Sequence, residues 1–192
     1  GRVTSVVWYQ PKSQFHTHNH PDGEEILVLE GVFVDERGSH GPGTYMLNPE
    51  GYVHTPRSED GCLLFVKLRQ YGGPSRCHRT LQTADMPWQD VALGVGGRCG
   101  TKTLHSSPDH PDSMFLRQCS THDPVDISNA ALQEIFVIQG ELTVQCGDDA
   151  PAALRKGSFL HLPPATPVRI VSARNAEFYH RIGEWRADTP AN

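Results

Sequence analysis

The sequence predicts an all-β protein built from two copies of one unit. Three features carry that expectation: short apolar stretches recur along the whole chain, turn residues separate them, and the chain repeats itself. The stretches include SVVWY (5–9), EILVLE (25–30), TYML (44–47), LLFVKL (63–68), IFVIQ (135–139) and VRIVS (168–172). Runs of roughly four to eight such residues are of strand length. Between them lie Pro-Lys-Ser, Asp-Glu-Arg-Gly, Gly-Pro-Gly, Asn-Pro-Glu-Gly and Cys-Gly-Asp-Asp, all of which favour tight turns. Fifteen prolines and eighteen glycines leave no window for a long amphipathic helix. Only DISNAALQE (126–134) predicts a short helical turn.

The repeat is explicit. EEILVLEG (24–31) matches QEIFVIQG (133–140), and GTYMLNPEGYVHTPRS (43–58) matches GSFLHLPPATPVRIVS (157–172). This divides the chain into a first unit at 1–80 and a second at 81–192. Between the copies, about residues 72 to 100, Tyr-Gly-Gly-Pro-Ser and Gly-Val-Gly-Gly have the composition of a linker with an irregular edge. The second unit has a long lead before its SMFLRQC strand (113–119), whereas little precedes SVVWY. The first unit is therefore expected to lack opening strands, or to receive them from its partner.

Composition excludes several classes of function. With 192 residues and 37% hydrophobic side chains the chain can bury real cores. A formal charge of −5 offers no basic stripe for phosphates, so nucleic acid is not an expected partner. No segment approaches the roughly 20 apolar residues that span a bilayer, and no signal peptide is visible, so a cytoplasmic location is expected. Cys62, Cys77, Cys99, Cys119 and Cys146 form no CxxC pair. Five scattered cysteines suit a reducing compartment better than a disulfide framework.

The chemistry concentrates in HNHPDGEEILVLEG (18–31). His18 and His20 alternate with Asn19, so on an extended strand both imidazoles take one face. Pro21-Asp22-Gly23 then turns the chain, and Glu24 can return its carboxylate to the same space. Asn48-Pro49-Glu50-Gly51 makes a second turn, and His54 stands three residues beyond it. Three imidazoles and a carboxylate suit a first-row transition metal, so His18, His20, Glu24 and His54 are the expected ligands. His16 lies on the same face but is expected to be solvent-facing. Glu25 and Glu30 are expected as charges on the strand surface. No catalytic acid or base is evident near the ligands, because residues 44–47 and 63–66 are apolar.

HxH, Glu24, Gly31, then Gly43, Pro49, Gly51 and His54 in this spacing resemble the two-part signature of the cupin superfamily. The match departs only at Lys12, where a leading glycine is usual. The stretch 16–62, with its Arg-Ser-Glu-Asp-Gly-Cys end, is similar to the cupin domain of ChrR-type anti-sigma factors. Together with the internal repeat, that resemblance implies two tandem cupin barrels of the double-stranded β-helix or jelly-roll type. It also implies a metal-binding, stress-sensing role with a sigma factor or other regulatory protein as partner, and homodimers are compatible with it. In that family a separate helical zinc domain, marked by His-x3-Cys-x2-Cys, holds the sigma factor, and this chain has no such motif. Zinc is the expected metal, with iron, manganese or nickel as alternatives. The competing reading is a cupin-type, metal-dependent dioxygenase.

The second copy lacks these ligands. Gln133 aligns with Glu24, Ile127 and Asn129 with the HxH pair, and Val168 with His54. His161 and His180 are expected as rim or core residues, and His105, His110 and His122 as solvated loop residues.

Overall fold

The computed structural model describes residues 1–73, 75–93, 97–121 and 124–184. The chain divides into two compact units, Gly1–Met86 and Pro87–Asn192. Strand dominates both, and no helix among the described residues is long and apolar enough to cross a membrane.

The first unit contains β1 (Val3–Tyr9), β2 (Ser13–Gln14), β3 (His18–His20), β4 (Glu24–Gly31), β5 (Phe33–Asp35), β6 (Gly38–His40), β7 (Thr44–Asn48), β8 (Tyr52–His54), β9 (Arg57–Ser58), β10 (Cys62–Leu68) and β11 (Arg79–Gln82). A five-stranded sheet runs β1-β10-β4-β7-β11, a smaller one runs β2-β9-β5-β6, and β3 pairs with β8. Period-two alternation explains its interior. Ile26 and Val28 on β4, Met46 on β7, and Cys62, Leu64 and Val66 on β10 bury one face together with Phe33. Each large apolar side chain buried there contributes about 1.5–3 kcal/mol. The same alternation carries Glu24 and Asn48 inward, and they stand directly opposite each other across β4 and β7.

The second unit contains β12 (Gln89–Leu93), β13 (Gly97–His105), β14 (Ser113–Thr121), β15 (Val125–Asp126), β16 (Leu132–Cys146), β17 (Ala152–Arg155), β18 (Phe159–Leu162) and β19 (Val168–Gly183). Its main path runs β12-β13-β14-β19-β16-β17, with β15 added to β19 and β18 to β16. Its core includes Ile135, Val137, Leu142, Ile170 and Phe178, all nearly inaccessible to solvent.

The repeat is visible in the hydrogen bonds. The Gly43 amide donates to the Val28 carbonyl at 2.8 Å, and at the matching place Gly157 donates to Val137 at 2.8 Å. Gly31 and Gly140 share φ near +70° (72° and 74°), and a Cβ on either would collide with backbone of the neighbouring turn. Only glycine fits there.

Three expectations need correction. The stretch from 72 to 100 is not a linker with a loose edge. Arg79–Gln82 pairs with β7 and takes that edge of the first sheet, while Gln89–Leu93 pairs with β13. Gly94, Val95 and Gly96 lie outside the described residues. The helical turn expected at 126–134 is absent: Asn129 Oδ1 instead accepts from the Ala131 amide in a tight turn leading into β16. The cysteines are not all free either. Cys99 on β13 and Cys119 on β14 form a disulfide in the second core, their Cα atoms 4.9 Å apart. Adjacent antiparallel strands brought together two positions 20 residues apart, a proximity that spacing does not announce. Cys62 is buried, Cys146 half-buried and Cys77 exposed.

Candidate metal centre

The site is assembled by two turns that meet on one carbonyl. The amides of Gly23 and Gly51 donate to the His20 carbonyl at 3.1 and 2.8 Å, which ties the Pro-Asp-Gly turn to the Asn-Pro-Glu-Gly turn. Both glycines have positive φ, 73° and 78°. Strands β3 and β8 are thereby held as a ribbon in which His18 faces His54 directly.

The structure gathers His18, His20 and His54 into one group, and Glu24 stands beside two of them. The ligating atoms of His18, His20 and His54 lie within 4.8 Å of one another. His20 Nε2 is 3.0 Å from His54 Nε2, and Glu24 Oε2 is 3.5 and 3.7 Å from these two nitrogens. Ligands about 2.1 Å from one tetrahedral ion would stand about 3.4 Å apart, a spacing close to that among His20, His54 and Glu24. His18 Nδ1 meets the His16 carbonyl at 2.8 Å. A carbonyl only accepts, so Nδ1 carries the proton and Nε2 keeps the lone pair a metal needs. His16 itself is exposed and contributes backbone rather than a fourth imidazole.

Electrostatics separates the ligands. Burial pushes the Glu24 carboxyl up to about 7, against the pull of His54 and the hydrogen bond from Asn48. Burial lowers His20 to about 4, reinforced by the neighbouring His54 and His18. With no cation present, this cluster favours a protonated carboxyl and a neutral imidazole.

An outer ring supports it, and the sequence did not point to its members. Asn48 Nδ2 donates to Glu24 Oε2 at 3.0 Å, and Asn48 Oδ1 accepts from His78 Nδ1 at 2.9 Å. Asp35 Oδ2 stands 3.8 Å from His54 Nδ1, while Asp35 Oδ1 meets His40 Nε2 at 3.0 Å and the Arg37 amide at 2.9 Å. Burial opposes the charge on Asp35, but the His54 and His40 imidazoles and the Arg37 amide hold its carboxyl well below the usual range. Tyr9 lies close enough to Glu24 and Cys62 that, after burial, their charges raise its hydroxyl further. A titratable group is therefore within electrostatic reach of Glu24. Asp35 and Asn48 end short strands, and Tyr9 lies nine residues before His18 in a different strand, so only folding joins them.

Other readings are corrected. Glu25 does point away from Glu24, but it is buried, and the Tyr71 hydroxyl donates to it. Glu30 is exposed as expected. His105 is buried and pairs with His110, Nε2 to Nδ1 at 2.9 Å, rather than being solvated. His122 lies outside the described residues. In the second unit Ile127 and Val168 are core residues. His180 is buried and bonded to Gln133 at 2.9 Å, whereas His161 is at the surface 3.4 Å from Glu134. Strand register places His161 opposite Glu134 and His180 opposite Ile135, on opposite faces of the sheet, so the two histidines do not meet.

Comparison with known proteins agrees with this geometry. Residues 1–72 match the ChrR cupin-like domain family. No curated protein matches the chain in sequence. Among solved structures it is similar to a cupin 2 conserved barrel domain protein from Leptotrichia buccalis, at 12% identity and a TM-score of 0.62, covering 95% of this chain and 84% of that one. It is similar to the oxalate decarboxylase of Bacillus subtilis, a protein with Mn(II) centres, at 10% identity and TM-score 0.65, covering 97% and 70%. It is also similar to a salicylate 1,2-dioxygenase from Pseudaminobacter salicylatoxidans, at 11% identity and TM-score 0.66, covering 95% and 71%. At these identities the likeness is one of fold, and it extends over both units. Residues 1–72 thus resemble the ChrR cupin-like domain family, and the chain as a whole shares its fold with cupin barrel structures.

Proposed function

We propose that the first unit holds one divalent transition metal through His18, His20, Glu24 and His54, with zinc as the resident ion. We further propose that the metal-loaded unit is a regulatory, stress-sensing module. The carrying observation is the convergence of three imidazoles and a carboxylate inside the segment that matches the ChrR cupin-like domain. Zinc takes such nitrogen and oxygen ligands in a closed tetrahedron, and an ion held there ties the β3–β8 ribbon to β4. Iron, manganese or nickel also suit the ligand set. The partner is a sigma factor or another regulatory protein, in the cytoplasm, and a homodimer is the alternative assembly.

One observation favours a second reading, a metal-dependent dioxygenase. Burial and then the charge of Glu24 raise the Tyr9 hydroxyl, which makes Tyr9 a titratable side chain within electrostatic reach of one proposed ligand. Such an enzyme needs an ion with open positions for oxygen and a chelating substrate.

Elemental analysis of protein purified without added metal tests the site. Single alanine changes at His18, His20, Glu24 and His54 should each lower metal content, while His161→Ala should not. Full occupancy in His54→Ala would sink the ligand assignment. Oxidant-driven metal release without oxygen uptake supports the sensor. Uptake by iron(II)-loaded protein given a catechol or β-diketone, lost in Tyr9→Phe, supports the enzyme.

A further inference from the structure

Strand β1 (Val3–Tyr9) closes one end of the five-stranded sheet of the first unit. It pairs with β10 over all seven residues without a bulge, and among the described residues no strand pairs with its other edge. The two main sheets have three other ends, and each is blunted. Strand β11 is four residues long and carries Arg79, β12 is five long and carries Asp90, and β17 is four long and carries Arg155. Short length and charge keep a sheet edge from recruiting another strand. VTSVVWY has neither device: it holds no charge, proline or glycine, and all but Ser5 are β-branched or aromatic.

Alternation divides the side chains of β1. Val7 and Tyr9 pack on the core of the first unit with Cys62, Leu64 and Val66. Thr4, Val6 and Trp8 therefore take the other face, where Val6 is 48% and Trp8 67% exposed. The strand is also its own complement. Turned about a two-fold axis that is perpendicular to the sheet and passes beside Val6, an antiparallel copy sets Val6 against Val6, Thr4 against Trp8, Ser5 against Val7 and Val3 against Tyr9. All seven residues gain a partner, every side chain keeps its face, and no like charges meet. On the outer face each indole lies beside Thr4 of the other copy and one diagonal step from its Val6.

We propose that β1 is the docking edge for a second copy of this chain, joined antiparallel about Val6 so that two five-stranded sheets become one continuous sheet. Main-chain hydrogen bonds supply the attachment, and the Val6 and Trp8 side chains fix the register. This gives the homodimer its surface and does not depend on the metal reading of the first unit. A single strand edge is a small interface, so dissociation in the micromolar range is expected.

Sedimentation equilibrium of the full chain from about 1 to about 300 µM, on metal-loaded and chelator-treated protein alike, tests this. The mass should rise from the 21.2 kDa of one chain toward twice that value, equally in both conditions. Val6→Lys and Val6→Glu each set like charges face to face across the axis, and each variant alone should keep the mass of one chain. Mixed in equal amounts the two should dimerise, because a register centred on Val6 brings the opposite charges together. Trp8→Ser, at an exposed position outside the core, should weaken the dimer about tenfold, and it decides the matter if a charged variant fails to fold. The proposal is overturned by a wild type that stays monomeric throughout this range, or by a dimer that needs metal or survives Val6→Lys. A mixture of the two charged variants that stays monomeric, or an unchanged Kd in Trp8→Ser, overturns it as well.

Discussion

The side-chain amide of Asn48 donates to Glu24 Oε2 at 3.0 Å across the β4–β7 pair, while its oxygen accepts from His78. Asn48 is fully buried and touches no solvent, so it acts on the metal site only by fixing this carboxylate. Asn48→Ala should leave all four ligands present and still weaken metal binding by about 10- to 100-fold. Competition with a chromophoric chelator measures this. Unchanged affinity would mean that Glu24 needs no orienting.

The pH dependence of metal uptake follows from Glu24. A metal binds the carboxylate and not the acid, and burial sets the Glu24 carboxyl near 7. Below that pH one proton must leave as the metal enters, which costs about tenfold in affinity per pH unit; above it this contribution flattens. Affinities measured from pH 5.5 to 8 should therefore rise more steeply in the wild type than in Glu24→Gln. Parallel slopes would show that the carboxyl titrates in its ordinary range.

Acid should also weaken the second unit. Burial, with Arg117 nearby, pushes His180 down to about 3 from its ordinary 6.5. Above pH 6.5 the imidazole is neutral folded and unfolded, and contributes no pH dependence. As pH falls from 6.5 toward 3, the unfolded chain takes up a proton that the folded one refuses, so stability declines. Urea titrations should show this loss, at most about 1.4 kcal/mol per pH unit for one group. His180→Gln should flatten the curve across that window.

Lys12 has φ of +60°, the left-handed conformation that favours glycine. It occupies the one motif position at which the sequence departs from the cupin pattern. Relief of the strain, about 1–2 kcal/mol, should exceed the entropy glycine adds to the unfolded chain, about 0.5–1 kcal/mol. Lys12→Gly should thus raise Tm by a few degrees with metal content unchanged. A lower Tm would show that the lysine side chain contributes packing that outweighs its backbone strain.

Much of this protein was legible along the chain. The apolar stretches became strands because alternation and turn residues are local signals. The four candidate ligands were legible because HxH and its spaced partners are set by two turns and a single strand alternation. The supporting groups were not. Asp35, Asn48 and His78 have no motif: Asp35 comes near His54, Asn48 bonds Glu24, and His78 bonds Asn48 only once distant segments are packed together. The buried state of His105 was hidden for the same reason: among Ser, Pro and Asp it has the local composition of a loop.

The sequence by itself determined the repeat, the all-β class and the three histidines of the first unit that are able to hold a metal. Each follows from residue identity and short-range periodicity. Tertiary structure alone decided which segment completes the first sheet, that Cys99 meets Cys119, and that Arg117 and His180 share one interior. Those facts depend on which strands lie side by side. Register is fixed by packing the whole sheet, and no local pattern in the chain encodes it.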